Sequence, residues 1–237
     1  MYEGTFAELY DRFYRGRGKN YAAEAADVAR LVREYRPTAS SLLDVACGTG
    51  THLRHFADHF DDVAGLELST SMIEISRPQL GNIPVLQGDM RDFQLDREFD
   101  AVTCMFSSIG HMRDITELEQ TLTSFARHLG PGGVVVIEPW WFPQTFLDGY
   151  VAGDVVRDGD LTISRVSHSA RVGDVTRMEI HWVVADPESG AHHHVEHYDI
   201  TLFERKEYES AFAASNLAVN YVEGGPSGRG LFVGIPA

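Results

Sequence analysis

Cysteine, lysine and long apolar runs are all scarce in this 237-residue sequence. Its two cysteines, Cys47 and Cys104, stand in apolar surroundings, which favours a reducing compartment over a disulfide framework. The longest apolar stretch, residues 132–139, is far shorter than the roughly 20 residues needed to cross a bilayer. The first residues also lack an apolar signal-peptide core. These absences predict a cytoplasmic protein with no membrane partner.

Positive charge is scarce as well. The chain has 20 Lys and Arg against 35 Asp and Glu, a formal net charge of −15, which argues against sequence-independent binding of nucleic acid. Only Lys19 and Lys206 are lysines, so arginine dominates the basic residues. Two explanations fit this bias. It can reflect GC-rich codon usage, or some of the arginines can bind a phosphate or carboxylate through two hydrogen bonds. The 43% apolar and 23% charged residues are typical of one large globular domain.

Up to Pro139 the chain alternates between helical and strand patterns. Residues 1–37 are predicted to be helical, and Pro37 ends the periodic run at 21–35. The pattern then predicts buried strands at 41–46, 62–66, 84–87, 101–105 and 133–138, and helices at 51–60, 69–79 and 117–129. Such βαβ units predict a parallel sheet that binds its ligand beyond the carboxyl ends of the strands.

Beyond Pro139 the apolar pattern changes to alternation. Residues 154–203 predict an antiparallel meander of about three strands. A helix at 205–215 and two closing strands follow. We therefore predict three regions, which are a helical cover segment (1–37), an α/β core (38–149 and 205–237) and an antiparallel insertion for substrate or dimer contacts (150–204).

The strongest functional signal is the turn after the first strand, residues 44–50 (DVACGTG). Its two glycines let the backbone turn tightly and approach a ligand closely. Glu67 ends the second strand, where a carboxylate accepts hydrogen bonds from ribose hydroxyls. Asp89 and Met90 follow the third strand, where an acid and an apolar side chain can border an adenine.

Two cofactors compete for this pattern. A dinucleotide motif would have a third glycine where this sequence has Leu53, and the bulky side chain suits a ligand without pyrophosphate. Asp44, at the end of the strand, favours a cationic or amine-bearing ligand. S-adenosylmethionine carries both a sulfonium and an amino group, so the residues favour it over NAD.

The ordered set resembles the class I S-adenosylmethionine-dependent methyltransferases over about residues 40–138. This resemblance implies a Rossmann-like α/β fold, with a mostly parallel seven-stranded sheet, helices on both faces and an antiparallel β insertion. It places the cofactor against Asp44, Ala46, Gly48, Gly50, Glu67, Leu68, Asp89, Met90 and Met105.

Three further segments can act on a substrate. His111 follows the fourth strand, near the expected methyl group, and is either a general base for an ammonium substrate or a helix cap. The aromatic residues 140–142 either line a substrate pocket or pack the sheet against the insertion. Arg229, in the Gly-rich segment 224–230, either binds a phosphate or stands in a hairpin turn.

Two features are predicted to carry no chemistry. The run of histidines at 192–194, with His197, resembles a metal site but lies on an alternating strand without other ligand types beside it. No metal is predicted there. Cys47 and Cys104 do not form a CxxC pair and are predicted to be small core residues.

A closer resemblance covers nearly the whole chain. SLLDVACGTGTHLRHF, GDMRDF, VTCMFSSIGH, EPWWFP, RVSHS and EGGPSGRGLFVG together resemble the dTDP-aminosugar N,N-dimethyltransferases of macrolide antibiotic pathways, which make desosamine and mycaminose. The resemblance implies a cytoplasmic homodimer that methylates, twice, the amino group of a dTDP-linked amino-deoxyhexose. It implies catalytic roles for His111 and Tyr2, cofactor contacts for Tyr10 and Tyr21, and substrate contacts for Trp141, Ser167 and Arg229.

Two other functions fit the same core motifs. One is an O- or N-methyltransferase for a metabolite that is not a nucleotide, which would be indifferent to the loss of Arg229. The other is a non-catalytic protein that binds an adenosine ligand, which would be indifferent to the loss of His111. The residues also leave open whether the amine is on C3 or C4 of the sugar, and whether His111 or Tyr2 accepts its proton.

Overall fold

The computed structural model describes the backbone of residues 5–237 and the side chains from residue 9 onward. The helices are α1 (Thr5–Gly16), α2 (Tyr21–Tyr35), α3 (Thr51–Phe56), α4 (Thr70–Leu80), α5 (Ile115–Arg127) and α6 (Arg205–Ala214). The strands are β1 (Ser41–Val45), β2 (Asp62–Glu67), β3 (Val85–Gln87), β4 (Phe99–Cys104), β5 (Leu129–Ile137), β6 (Tyr150–Asp158), β7 (Leu161–Val172), β8 (Val175–Asp186), β9 (Gly190–Thr201), β10 (Leu217–Val222) and β11 (Leu231–Pro236). A one-turn 3-10 helix, Ser108–His111, follows β4.

Seven strands form the core sheet, in the order β10-β11-β5-β4-β1-β2-β3. The first five strands of the chain pair in parallel, whereas β11 runs antiparallel to both β5 and β10. The strand order reverses between β1 and β4, which is where a sheet of this kind opens a ligand crevice. The mostly parallel α/β sheet predicted from the sequence is confirmed.

Both faces of the core sheet are covered by helices. Successive side chains of a strand point to opposite faces, and both Leu42 and Leu43 are fully buried. Leu42 lies in one apolar cluster with residues of α2 and α3, and Leu43 lies in another with residues of α5 and α6. Continuous apolar strands such as β1 and β5 are therefore required, because neither face of the sheet meets water.

Helix ends differ from the prediction for local reasons. α5 begins at Ile115 because the Asp114 side chain caps it by accepting a hydrogen bond from the Glu117 backbone N–H (2.9 Å). α3 ends at Phe56, four residues before the predicted end, because tight turns redirect residues 57–60 toward β2. None of the helices in the described part of the chain is long and apolar enough to cross a membrane.

The second sheet has four antiparallel strands in the order β6-β7-β8-β9. The prediction of about three strands from residue 154 was wrong, because it omitted β6, which pairs with β7 from Tyr150 to Asp158. β6 contains Gly153 and two aspartates among its valines, and most of its residues are exposed. The alternation of apolar and polar residues in β6 is therefore too weak to predict a strand from the sequence.

The first helix packs on this second sheet. Phe13 of α1 contacts Trp182 edge-to-face, with ring centroids 5.1 Å apart, and belongs to the apolar cluster of the sheet. Gly16 faces Val156 so closely that an added Cβ would lie 2.0 Å from a Val156 methyl carbon. α1 and the second sheet together cover the carboxyl ends of the core strands.

Candidate active site

A cavity of about 440 Å³ opens at the carboxyl ends of β1, β2 and β4, beside the point where the strand order reverses. Helix α1 and the start of α2 form one of its walls. The predicted cofactor residues that line it are Tyr10, Tyr21, Asp44, Ala46, Gly48, Glu67, Leu68, Asp89, Met90 and Met105. His111 lines the same cavity, so the structure brings the predicted base beside the predicted cofactor residues.

The two glycines of the turn after β1 do different things. Gly48 has φ +57°, and nothing lies within 4 Å of the position its Cβ would take, so its backbone is open to the cavity. Gly50 does not line the cavity. It begins α3 with φ +80°, and an added Cβ would lie 2.7 Å from a Leu80 methyl carbon. Gly50 therefore makes the turn and allows close packing on α4.

Glu67 connects the turn after β1 to the turn after β2. Its Oε2 accepts a hydrogen bond from the Gly48 backbone N–H (2.9 Å), and its Oε1 accepts one from the Ser69 N–H (2.8 Å). Each carboxylate oxygen can accept a second bond. The side chain is therefore fixed at the cavity wall and still has acceptor capacity for a diol.

Asp44 is the buried acid of the site, with only 2% of its surface exposed. Burial raises its pKa to about 6, although the nearby His52 and a hydrogen bond from Thr103 Oγ1 (2.8 Å) act in the opposite direction. Asp44 is therefore mostly ionised at pH 7, in surroundings where a negative charge favours a cationic ligand.

A chain of polar contacts supports the same wall. His52 Nε2 lies 2.7 Å from Glu24, which accepts a hydrogen bond from Lys19 Nζ (2.6 Å). The ring of Tyr21 packs edge-to-face on His52, at 4.8 Å. Its hydroxyl is buried and has no hydrogen-bond partner among the described residues. A buried donor without an acceptor is costly, so this hydroxyl is well placed to meet a ligand oxygen.

Asp89 and Met90, which follow β3, also line the cavity. Asp89 Oδ1 accepts hydrogen bonds from the backbone N–H (3.0 Å) and the Nε (2.9 Å) of Arg91, and these bonds lower the pKa of its carboxyl. Arg91 also donates to Glu117 (2.7 Å). An ionised acid beside the apolar Met90 side chain matches the amino edge and the face of an adenine.

His111 sits at the end of the 3-10 turn, and its side chain is open to the cavity. The protein atoms around the ring lower the pKa of its imidazole by partial desolvation, which favours the neutral form at pH 7. The turn is reached through two strained residues, Phe106 and Ser107, with φ of +55° and +65°. The buried carboxylate of Glu138 accepts the Phe106 backbone N–H (2.7 Å) and holds this strained turn. Tyr2, the other predicted catalytic residue, lies outside the described residues.

The predicted substrate residues do not line the main cavity. The Arg229 guanidinium lies over the indole rings of Trp140 and Trp141, at 5.1 and 5.2 Å from their centroids. Its Nη2 donates to Ser107 Oγ (2.7 Å), so it lies directly behind the turn that carries His111. Ser167 is buried on the second sheet. Their roles toward a substrate stay predictions.

Some cavity residues were not predicted, among them Asp11, His52, Arg91 and Met112. Asp11 lies on α1, and its place in the cavity depends on how that helix docks. His52, Arg91 and Met112 had a local signal, since each directly follows or lies within a segment that the sequence singled out. The described residues contain no group of three or more His, Cys, Asp or Glu able to hold a metal.

The donor set fits S-adenosylmethionine. It offers an acid for a ribose diol (Glu67), an acid for a cationic group (Asp44), a free hydroxyl for an oxygen (Tyr21) and an acid beside an apolar side chain for an adenine (Asp89 and Met90).

Comparisons with known proteins agree with this geometry. A family model described as a methyltransferase domain matches residues 42–133. The chain is 60% identical to the dTDP-3-amino-3,4,6-trideoxy-alpha-D-glucopyranose N,N-dimethyltransferase of Streptomyces venezuelae, over 100% of both chains. It is 57% identical to the dTDP-3-amino-3,6-dideoxy-alpha-D-glucopyranose N,N-dimethyltransferase of Streptomyces fradiae, over 99% of this chain and 92% of that protein.

A solved structure extends the comparison to the fold and the cofactor. The chain matches CalS10, an amino pentose methyltransferase from Micromonospora echinaspora, with a TM-score of 0.90, 46% identity and 100% coverage of both chains. That structure contains bound S-adenosylmethionine. Identity of this extent over full length shows the family, and the cavity has the groups that the cofactor needs. The chain belongs to the dTDP-amino-sugar N,N-dimethyltransferases, which are class I methyltransferases that use S-adenosylmethionine.

Proposed function

We propose that this enzyme adds two methyl groups in succession to the C3 amino group of a dTDP-linked 3-amino-6-deoxyhexose. The observation that carries the proposal is the hydrogen bond from Arg229 to Ser107, which places a buried cation next to the turn that bears His111. A base for the amine and a cation for the diphosphate are thus adjacent. The two relatives named above are described as acting on 3-amino sugars, which supports C3 over C4.

His111 is the proton acceptor in this proposal. Bound S-adenosylmethionine supplies an electrophilic methyl group on a sulfonium. An alkyl amine is mostly an ammonium ion at pH 7, so the neutral imidazole accepts its proton and frees the lone pair for attack. The first product is a secondary ammonium ion, which must lose a proton before it can react again. His111 is accessible to solvent through the cavity, so it can release its proton between the two rounds.

The direct test is mass spectrometry of a dTDP-3-amino-3,6-dideoxyhexose incubated with the protein and S-adenosylmethionine. We expect products with one and then two added methyl groups. A 4-amino sugar nucleotide serves as the matched comparison. Absence of methylation on both sugars, with cofactor binding shown in parallel, would contradict the proposed substrate class and favour an acceptor that is not a nucleotide.

Arg229 supplies a second test. Its Nε donates to the Pro139 carbonyl (3.1 Å). Its Nη2 donates to Ser107 Oγ and forms an ion pair with the buried Glu138 carboxylate (3.8 Å), so Nη1 remains available to a phosphate. Arg229→Gln removes the charge while it keeps most of the side-chain volume. We expect the KM for the sugar nucleotide to rise about 10-fold or more, because charge-assisted hydrogen bonds to phosphate are strong, with little change in cofactor affinity. An unchanged KM would place the diphosphate elsewhere.

We further propose that the enzyme is a cytoplasmic homodimer in a desosamine- or mycaminose-type macrolide pathway. The whole-chain resemblance supports this proposal, as does the free state of both cysteines, Cys47 and Cys104. Analytical ultracentrifugation would test the dimer. A monomer at micromolar concentration would contradict it.

A further inference from the structure

Asp11 of α1 is a buried acid that faces the cavity of the active site. Only 7% of its surface is exposed, and the residue lines the cavity wall. Within the described part of the chain, its carboxylate accepts no hydrogen bond and forms no ion pair. A carboxylate that leaves water without a partner is strongly unfavourable. This position therefore suits a cationic group of a ligand.

The basic residues close to Asp11 in the chain do not neutralise it. Arg15, one helical turn later, is exposed, and its Nε donates to the Asp11 backbone carbonyl (3.4 Å) rather than to the carboxylate. Arg12 and Arg17 pair with aspartates of β6, at 3.7 and 3.1 Å. Lys19 pairs with a glutamate of α2 (2.6 Å). The negative charge of Asp11 is thus left to the cavity.

The hydroxyl of Tyr21 identifies the class of ligand group. Tyr21 lines the same cavity as Asp11, and its buried hydroxyl does not bond to that carboxylate. Burial, followed by the negative charge of Asp11, raises the pKa of Tyr21, so the hydroxyl stays protonated and can donate. An acceptor and a donor on one wall match the ammonium and the carboxylate of an α-amino acid. S-adenosylmethionine ends in such a zwitterion.

The position of Asp11 on its helix shows what this contact would connect. Phe13 packs on Trp182 of the second sheet, and Asp11 precedes it by two residues, which is about 200° around the helix. Asp11 therefore points away from the second sheet, towards the core that carries Asp44 and Glu67. A ligand bound between them contacts both α1 and the core sheet.

We propose that Asp11 binds the α-ammonium group of S-adenosylmethionine and thereby stabilises the docked position of α1. An ammonium group has three N–H donors, and its hydrogen bonds to a carboxylate are charge-assisted. Because Asp11 belongs to α1, whereas Asp44 and Glu67 belong to the core sheet, a ligand that contacts all three favours the docked helix. This inference uses the cofactor and does not depend on the identity of the sugar.

Calorimetry on the full-length protein tests the contact with three ligands. S-adenosylhomocysteine keeps the ammonium group but lacks the sulfonium charge, and methylthioadenosine lacks the whole amino-acid end. Asp11→Asn removes the charge and keeps the shape of the side chain. We expect it to weaken both S-adenosylmethionine and S-adenosylhomocysteine about 10-fold or more, and to leave methylthioadenosine unchanged. Asp27→Asn, at an exposed acid of α2, is the matched control and should leave all three affinities unchanged.

Three results would overturn the inference. One is wild-type affinity of Asp11→Asn for both ligands that carry the ammonium group. Another is a loss confined to S-adenosylmethionine, which would assign Asp11 to the sulfonium. The third is unchanged cofactor affinity with a higher KM for the amino sugar, which would assign the acid to the substrate amine. None of them would contradict the proposed function.

Hydrogen exchange and thermal unfolding separate this role from a structural one. S-adenosylhomocysteine should slow amide exchange in residues 5–16 of the wild type more than saturating methylthioadenosine does, and Asp11→Asn should abolish the difference. Equal protection by both ligands in the wild type would contradict the stabilisation of α1. The ligand-free Asp11→Asn variant should melt at the wild-type temperature or higher, because it loses an uncompensated buried charge. A lower melting temperature would indicate a structural role instead.

Discussion

Replacing Glu67 by Ala is expected to weaken S-adenosylmethionine binding about 100-fold, or about 2.8 kcal/mol. The substitution removes the acceptor for the ribose hydroxyls. It also removes the two hydrogen bonds, from the N–H groups of Gly48 and Ser69, that fix the turns on either side of the cavity. Hydrogen bonds to a charged group contribute roughly 1.5–3 kcal/mol each, so the loss of part of this set accounts for the magnitude.

Isothermal titration calorimetry on the variant would measure this effect. Glu74→Ala is the matched control, because Glu74 is an exposed acid on the next helix, α4. Its affinity for the cofactor should equal that of the wild type. If Glu67→Ala also retained wild-type affinity, the ribose would have to bind elsewhere and the assignment of this end of the cavity would be wrong.

Replacing His111 by Ala is expected to lower kcat about 100- to 10,000-fold, the usual contribution of a general base. Cofactor affinity should change little, because the groups that fit the cofactor lie on β1, β2, the start of α2 and the turn after β3, and not on the 3-10 turn. Steady-state kinetics with a separate titration of S-adenosylmethionine would show both effects. His192→Ala, at an exposed position near the start of β9, controls for the loss of a histidine. Full activity of His111→Ala would leave Tyr2 as the remaining proton acceptor among the predicted residues.

The dependence of the methylation rate on pH is a second test of His111 as the general base. Partial desolvation in the cavity lowers the pKa of His111, so its neutral form persists to more acidic pH than that of a free histidine. Activity of the wild type should therefore decline as the pH falls through a value below about 6.5, where the imidazole becomes charged. His111→Ala should lose this limb and keep only the ionisation of the substrate amine.

The sequence correctly predicted that the residues following the core strands lie together at one edge of the sheet. The turn after β1, Glu67 and the pair Asp89–Met90 each follow a short apolar run, and parallel strands bring their carboxyl ends to one edge of a sheet. Their order along the chain was therefore enough to predict that they meet. His111 was placed by the same rule, since it follows β4.

Other parts of the site depend on packing between distant segments. Asp11 lies at the cavity because Phe13 and Gly16 pack α1 against the second sheet. No local sequence pattern predicts this packing of α1 on the sheet.

The raised pKa of Asp44 has a consequence for cofactor binding. A carboxyl whose pKa rises from 3.8 to about 6 in the folded protein is destabilised when ionised, and at pH 7 this costs on the order of 3 kcal/mol of folding free energy. A ligand with a net positive charge offsets that cost, and a neutral one does not. S-adenosylmethionine, which carries a sulfonium and an ammonium group against one carboxylate, is such a ligand. Its binding is therefore expected to shift the pKa of Asp44 back down and to relieve part of this cost.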